Sequence, residues 1–135
     1  MDKPLSSRPL DDGPYWQYLG LTIEQSGDGT ARVRLKWSRN LTQVFGKVHG
    51  GAIASLMDAT AAACLKPFLG PGETQATIEM KVNFLTAATE GDLVGEAHFI
   101  RRGRTIVVTQ VEVKDQNAAL VAVGIFTFMI IRSSS

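Results

Sequence analysis

The sequence predicts an α+β fold: a curved antiparallel sheet wrapped around one long central helix. Three observations carry that prediction. Residues 51–66 are rich in Ala, Leu and Met, apolar nearly all round, and followed by Pro67. Helix formers favour a helix there, proline ends it, and a helix without a polar face must be covered on most sides. Several other segments alternate apolar and polar residues with the period of half-buried strands. Short turn signals separate those segments, so consecutive strands return antiparallel.

The elements follow in order. The 135 residues fit one domain with a single core. Residues 1–14, rich in Pro, Ser and Asp, are expected to be a flexible arm, with the domain itself over 15–135. Pro14 starts a short helix through Leu19, closed by Gly20. S-G-D-G at 26–29 is a turn. T-A-R-V-R-L-K-W then puts Ala31, Val33, Leu35 and Trp37 on one face of a strand and Arg32, Arg34 and Lys36 on the other. Leu41 to Val48 is an irregular link into the helix, and L-G-P-G at 69–72 a loop.

A-T-I-E-M-K-V-N-F alternates with Ile78, Met80, Val82 and Phe84 inward and Thr77, Glu79, Lys81 and Asn83 on the other face. Strands over 92–100 and 105–114 are joined by R-R-G-R, a tight hairpin turn in which Gly103 is expected at positive φ. D-Q-N-A at 115–118 leads into 119–131, a strand apolar enough to be covered on both faces. The total is five strands and two helices.

Composition excludes several functions. With 44% hydrophobic and 20% charged residues and a net charge of +1, nothing suggests a polyanion binder, and no nucleic-acid partner is expected. The single cysteine, Cys64, allows no intrachain disulfide and no thiolate metal cluster. His49, His98 and Cys64 are isolated, so no metal is expected; His98 reads as a surface strand residue. Residues 1–12 lack an apolar signal core, and the longest apolar run, about 120–131, is short of the ~20 residues that span a bilayer. A reduced, cytoplasmic protein with no membrane partner is the expectation.

The chemistry concentrates at G-K-V-H-G-G-A-I-A-S-L-M-D, residues 46–58. Asp58 is the only charged side chain between Gly50 and Leu65. A lone buried carboxylate costs several kcal/mol unless paired, hydrogen-bonded or protonated. Its helical neighbours three and four residues away are Ala54, Ser55, Ala61 and Ala62, all small, so this face has room for a ligand or another helix. The bulky stripe, Ile53, Leu56, Met57, Thr60 and Cys64, lies elsewhere. A carboxylate at an apolar crevice is a candidate general base; a structural, backbone-bonded aspartate is the alternative. His49 precedes Asp58 by nine residues, half a turn out of register and ~13 Å along the axis, so the two cannot form a dyad within one chain. They can meet across a symmetric dimer whose helices run antiparallel, which predicts a site shared between subunits. Gly50 and Gly51, at the helix start, can present bare N–H groups to an anion or oxyanion. A helix entry that needs unusual backbone angles is the alternative there.

These residues resemble a known family. G-x-V-H-G-G-A-x-x-x-L-x-D-x-x at 46–60, with Gln43 upstream and alternating strands downstream, is similar to the hotdog-fold acyl-CoA thioesterases of the phenylacetic-acid-degradation (PaaI-like) type, over about residues 15–131. The resemblance implies that Asp58 is general base or nucleophile, and that the Gly50 N–H polarises the thioester carbonyl from the partner subunit. It also implies that His49 supports the turn. Gln43 stands where the family has Asn and would help place the carbonyl or the water. Thr77 matches a water-positioning hydroxyl; an outward strand residue is the alternative. Gly51, Ala54, Ser55 and Ala62 would line the substrate, and Arg101, Arg102 and Arg104, with Lys81, are candidates for the CoA phosphates, against a solvated turn. The implied partner is an acyl-CoA substrate, with no cofactor, in a homodimer or a homotetramer built as a dimer of dimers. A catalytically silent acyl-CoA binding protein on the same fold is the competing reading. A hydratase is disfavoured for lack of a second motif.

Overall fold

The structure, a computed structural model, describes residues 4–133. Helix α1 spans Pro14–Leu19 and α2 spans Gly50–Leu65. The strands are β1 (Leu21–Gly27), β2 (Thr30–Leu35), β3 (Glu73–Phe84), β4 (Leu93–Arg102), β5 (Ile106–Lys114) and β6 (Leu120–Arg132). They form one antiparallel sheet in the spatial order β1-β2-β4-β5-β6-β3, and α2 packs on its inner face. Residues 5–7 and 10–12 of the N-terminal segment make 3₁₀ turns; Leu10 packs on the core, and Ser6 O accepts from Lys66 Nζ at 2.9 Å.

The long helix is as expected. His49 caps its start, and Pro67 falls in the 3₁₀ turn that follows its end. Ile53, Leu56, Met57, Thr60 and Cys64 are all buried, against a core that includes Val33, Val107, Val111, Val113 and Phe126. Each fully buried large apolar side chain stabilises by about 1.5–3 kcal/mol. The helix sits so close to β4 that glycine is required at 95, and the backbone of β3 requires it at 124. A Cβ on Gly95 would lie 2.3 Å from Thr60 Oγ1, and one on Gly124 would lie 2.4 Å from Lys81 O and 3.1 Å from Met57.

Four expectations are corrected. The sheet has six strands, because L-T-I-E-Q-S-G forms β1. Its alternation is short and stops at the bulge after Ile23, so local pattern alone does not separate it from the turn. Gly103 is not at positive φ. What selects glycine is space: its N–H donates to Ile106 O at 3.0 Å, and a Cβ would meet that oxygen at 2.5 Å.

The third correction concerns β3. Its register against β6 slips between Thr77 and Glu79, and Ile78 is the extra residue. The slip inverts parity along the strand. Gln75 and Thr77 lie opposite Ile130 and Phe128, while Met80, Val82 and Phe84 lie opposite Phe126, Gly124 and Ala122. Those β6 partners are buried, so Thr77 faces the helix with Met80, Val82 and Phe84 rather than away from it. Ile78 is exposed instead of inward. The fourth concerns β6: Ile125, Met129 and Ile131 are exposed on the outer face, so this chain covers only one side of the strand.

Candidate active site

Every position of α2 is buried except Gly50, Gly51, Ala54, Ser55, Asp58 and Ala62. Beyond the cap these recur at three and four residues, so they form one stripe along the helix. The expected small-residue face is therefore the single open face of α2, with Ala61 as an exception, since it is fully buried. Asp58 is the only formal charge on the stripe.

The β3 bulge brings Thr77 to that carboxylate. Thr77 Oγ1 donates to Asp58 Oδ1 at 2.7 Å. Partial burial pushes the Asp58 carboxyl above the usual aspartate range, and the Thr77 hydrogen bond pulls the other way. One turn further along, Gln75 Nε2 donates to Ala62 O at 3.1 Å. Ser55, one turn before Asp58, donates to Gly51 O at 2.9 Å and contacts the Tyr15 hydroxyl at 2.8 Å. Cys64 is no rival nucleophile: burial pushes its thiol up to about 11.

The helix N-terminus forms a second cluster. The exposed His49 accepts the Gly51 N–H through Nδ1 at 2.7 Å, so His49 fixes the turn and takes up the Gly51 donor. The adjacent Gly50 N–H donates to no partner among the described residues. The Phe84 ring lies 3.3 Å from where a Gly50 Cβ would stand, so a side chain there would press on it. Gly50, Phe84 and Gln43 line a cleft of about 300 Å³. Gln43 holds the loop before the helix: its Oε1 accepts from Phe45 N at 2.6 Å and Lys47 N at 3.3 Å. Its Nε2 has no partner among the described residues.

Gly50 and Asp58 are eight residues apart, ~12 Å along the axis. The expected catalytic residues thus fall into two groups within one chain: Asp58 with Thr77, and Gly50 with His49 and Gln43. The arginines form a third region, at the far end of α2. Arg102 stacks over the Phe68 ring just past the helix end, 4.6 Å from its centroid, and Arg104 O accepts from Arg132. Arg101 is exposed on the same turn, and Lys81 Nζ donates to Asn83 at 2.8 Å. Among the described residues no three His, Cys, Asp or Glu side chains cluster as metal ligands, and no helix is long and apolar enough to cross a membrane.

Sequence reasoning missed Tyr15 and Gln75. Gln75 becomes readable once the β3 bulge is known; Tyr15 lies 40 residues from its partner and has no local signal.

One long helix gripped by a curved six-stranded antiparallel sheet is the hotdog architecture. The thioesterase superfamily profile matches residues 45–122, and the chain belongs to that superfamily. A Halobacterium salinarum protein provisionally named an esterase is 32% identical over 91% of this chain and 88% of its own. Acyl-coenzyme A thioesterase 13 of Pongo abelii is 27% identical over 77% of this chain and 75% of its own. The structure of a conserved Pseudomonas aeruginosa protein superposes with a TM-score of 0.83 at 34% identity, covering 91% of this chain and all of that one.

Proposed function

We propose that the protein hydrolyses an acyl-CoA thioester to the free acid and CoA in a site shared by two copies of the chain. The observation that carries this reading is Asp58, a carboxylate of raised proton affinity on the only open face of α2, hydrogen-bonded by Thr77. The acyl-CoA class is supported by the Pongo abelii relative, whose name gives that substrate. As general base, Asp58 takes a proton from water while the water oxygen bonds to the thioester carbon. The oxyanion that forms is held by the unpartnered Gly50 N–H of the other copy, at the positive end of its helix. Collapse breaks the C–S bond, and CoA leaves as a thiolate, a good leaving group because thiols ionise near pH ~8.5. As nucleophile, Asp58 would bond to the carbonyl carbon itself, and water would then cleave the anhydride.

Sharing between copies follows from the ~12 Å between Gly50 and Asp58 in one chain. It is supported by the sheet edge. β3 is terminal, and its inner face leaves Met80 46% and Phe84 54% exposed, an apolar surface that a second copy's α2 would cover. Gln43 Nε2 would steady the carbonyl or the water, and Gly51, Ala54, Ser55 and Ala62 would line the acyl group. Arg101 and Arg104 are free to meet CoA phosphates, while Arg102 is already stacked on Phe68. A homodimer is the minimal unit, a tetramer is compatible, and a reduced cytoplasmic setting suits a buried free thiol.

The test follows free thiol release from a panel of acyl-CoAs. The wild type should hydrolyse at least one, and Asp58→Ala should lose about 10³-fold or more in kcat, the scale of removing the residue that activates the attacking water. Binding of acyl-CoA without turnover would establish the catalytically silent alternative instead.

A further inference from the structure

We infer that Tyr15 determines which acyl groups the site accepts, by standing across the open face of α2 one turn from Asp58. The inference rests on the acyl-CoA reading above. Tyr15 and Ser55 meet at 2.8 Å between hydroxyl oxygens. Ser55 has one hydroxyl proton and gives it to Gly51 O. Tyr15 is therefore the donor, and its phenol tip is fixed on the stripe at Ser55. Ser55 precedes Asp58 by three residues, so the tip stands ~4.5 Å along the axis from the carboxylate, on the same face.

The ring is held at its tip and free along its length: Tyr15 is 59% exposed. Its base is fixed as well. Trp16 packs on the core, and α1 is bounded by Pro14 and by Gly20 at φ 83°. A fixed aromatic ring of this kind adds nothing to the chain's own core. It narrows the open stripe beside Asp58 on the side of the helix start, while β3 places Thr77 against Asp58 and Gln75 against Ala62. The rest of the stripe, Ala54 and Ala62, sets no limit, because both side chains are single methyl groups. An acyl chain that runs from Asp58 toward the start of α2 meets the phenol after about one turn.

Removing the ring should admit a longer acyl group. Each newly buried methylene contributes about 0.8 kcal/mol, so two of them account for a change on the order of 10-fold. The experiment uses unreactive 2-oxoalkyl-CoA thioethers, with four-carbon and ten-carbon chains, and measures their Kd by calorimetry for the wild type, Tyr15→Ala and Tyr15→Phe. Tyr15→Ala should shift the ratio of the two constants toward the ten-carbon analogue by about 10-fold or more. Tyr15→Phe keeps the ring but frees its tip, and should shift the ratio the same way by a smaller factor; it carries the test if the alanine variant does not fold. Ratios equal to the wild-type ratio in both variants overturn the inference. Absence of binding by the wild type overturns it together with the acyl-CoA reading. A shifted ratio in a protein that releases no thiol from matched acyl-CoAs upholds the inference and overturns hydrolysis alone.

Discussion

At the scale of single residues, the proposed site depends on one carboxylate held in two opposing ways. Burial raises the proton affinity of Asp58, and the Thr77 hydroxyl lowers it. Thr77→Val removes only the second influence. The acid limb of the kcat/KM profile should then move to higher pH, with activity surviving above it; an unmoved limb would mean that Asp58 is not the group that titrates. Asp58 should also cost the protein stability. Its folded carboxyl lies above the unfolded one, so the cost is absent at pH below the ordinary aspartate range. It grows as pH rises through that range and is complete above the folded value. Asp58→Asn keeps an oxygen for Thr77 and removes the charge. It should raise Tm on the order of 2 °C near pH 8, with the gain fading by about pH 3 in thermal melts.

At the scale of elements, two features shape the site. The β3 bulge at Ile78 points Thr77 and Phe84 to the same side although their numbers differ in parity. Without it, either Asp58 would lose its hydrogen-bond donor or Phe84 would leave the Gly50 cleft. The second feature is the closeness of α2 to β4. Gly95→Ala drives a methyl group into Thr60 Oγ1, whose own hydroxyl donates to Leu56 O. The substitution should destabilise by about 1–3 kcal/mol in urea titrations. Adding Thr60→Ala should recover part of that loss, because the obstructing atom is gone. Additive losses in the double variant would show that the strain lies elsewhere.

At the scale of the molecule, one chain leaves apolar surface on both faces of the sheet. Met80 and Phe84 are open on the inner side of β3, and Ile125, Met129 and Ile131 on the outer side of β6. Large contiguous apolar patches mark interaction surfaces. Light scattering should therefore give at least a dimer mass. Phe84→Asp should lower that mass and abolish thiol release together, because the same edge would both hold the second copy and complete the site. A monomeric wild type that hydrolyses acyl-CoA would end the shared-site account.

The sequence by itself determined the helix, its Asp58, its small-residue face and most of the sheet, because those features rest on periodicity and on residues within a few turns of each other. The cap of α2 was not read from the sequence, although His49 and Gly51 are only two residues apart: the side chain accepts the Gly51 N–H, a role the histidine alone does not announce. Only the tertiary structure decided the rest. β1 escaped because its alternation is short and broken by a bulge. Gly103 serves space rather than φ, since its neighbour is Ile106 across the hairpin. Whether Thr77 faces Asp58 depends on one extra residue in a pairing with β6, about 50 positions away. The Tyr15 contact with Ser55 joins segments 40 residues apart. Such contacts are set by how the sheet closes on the helix, and no local pattern records that.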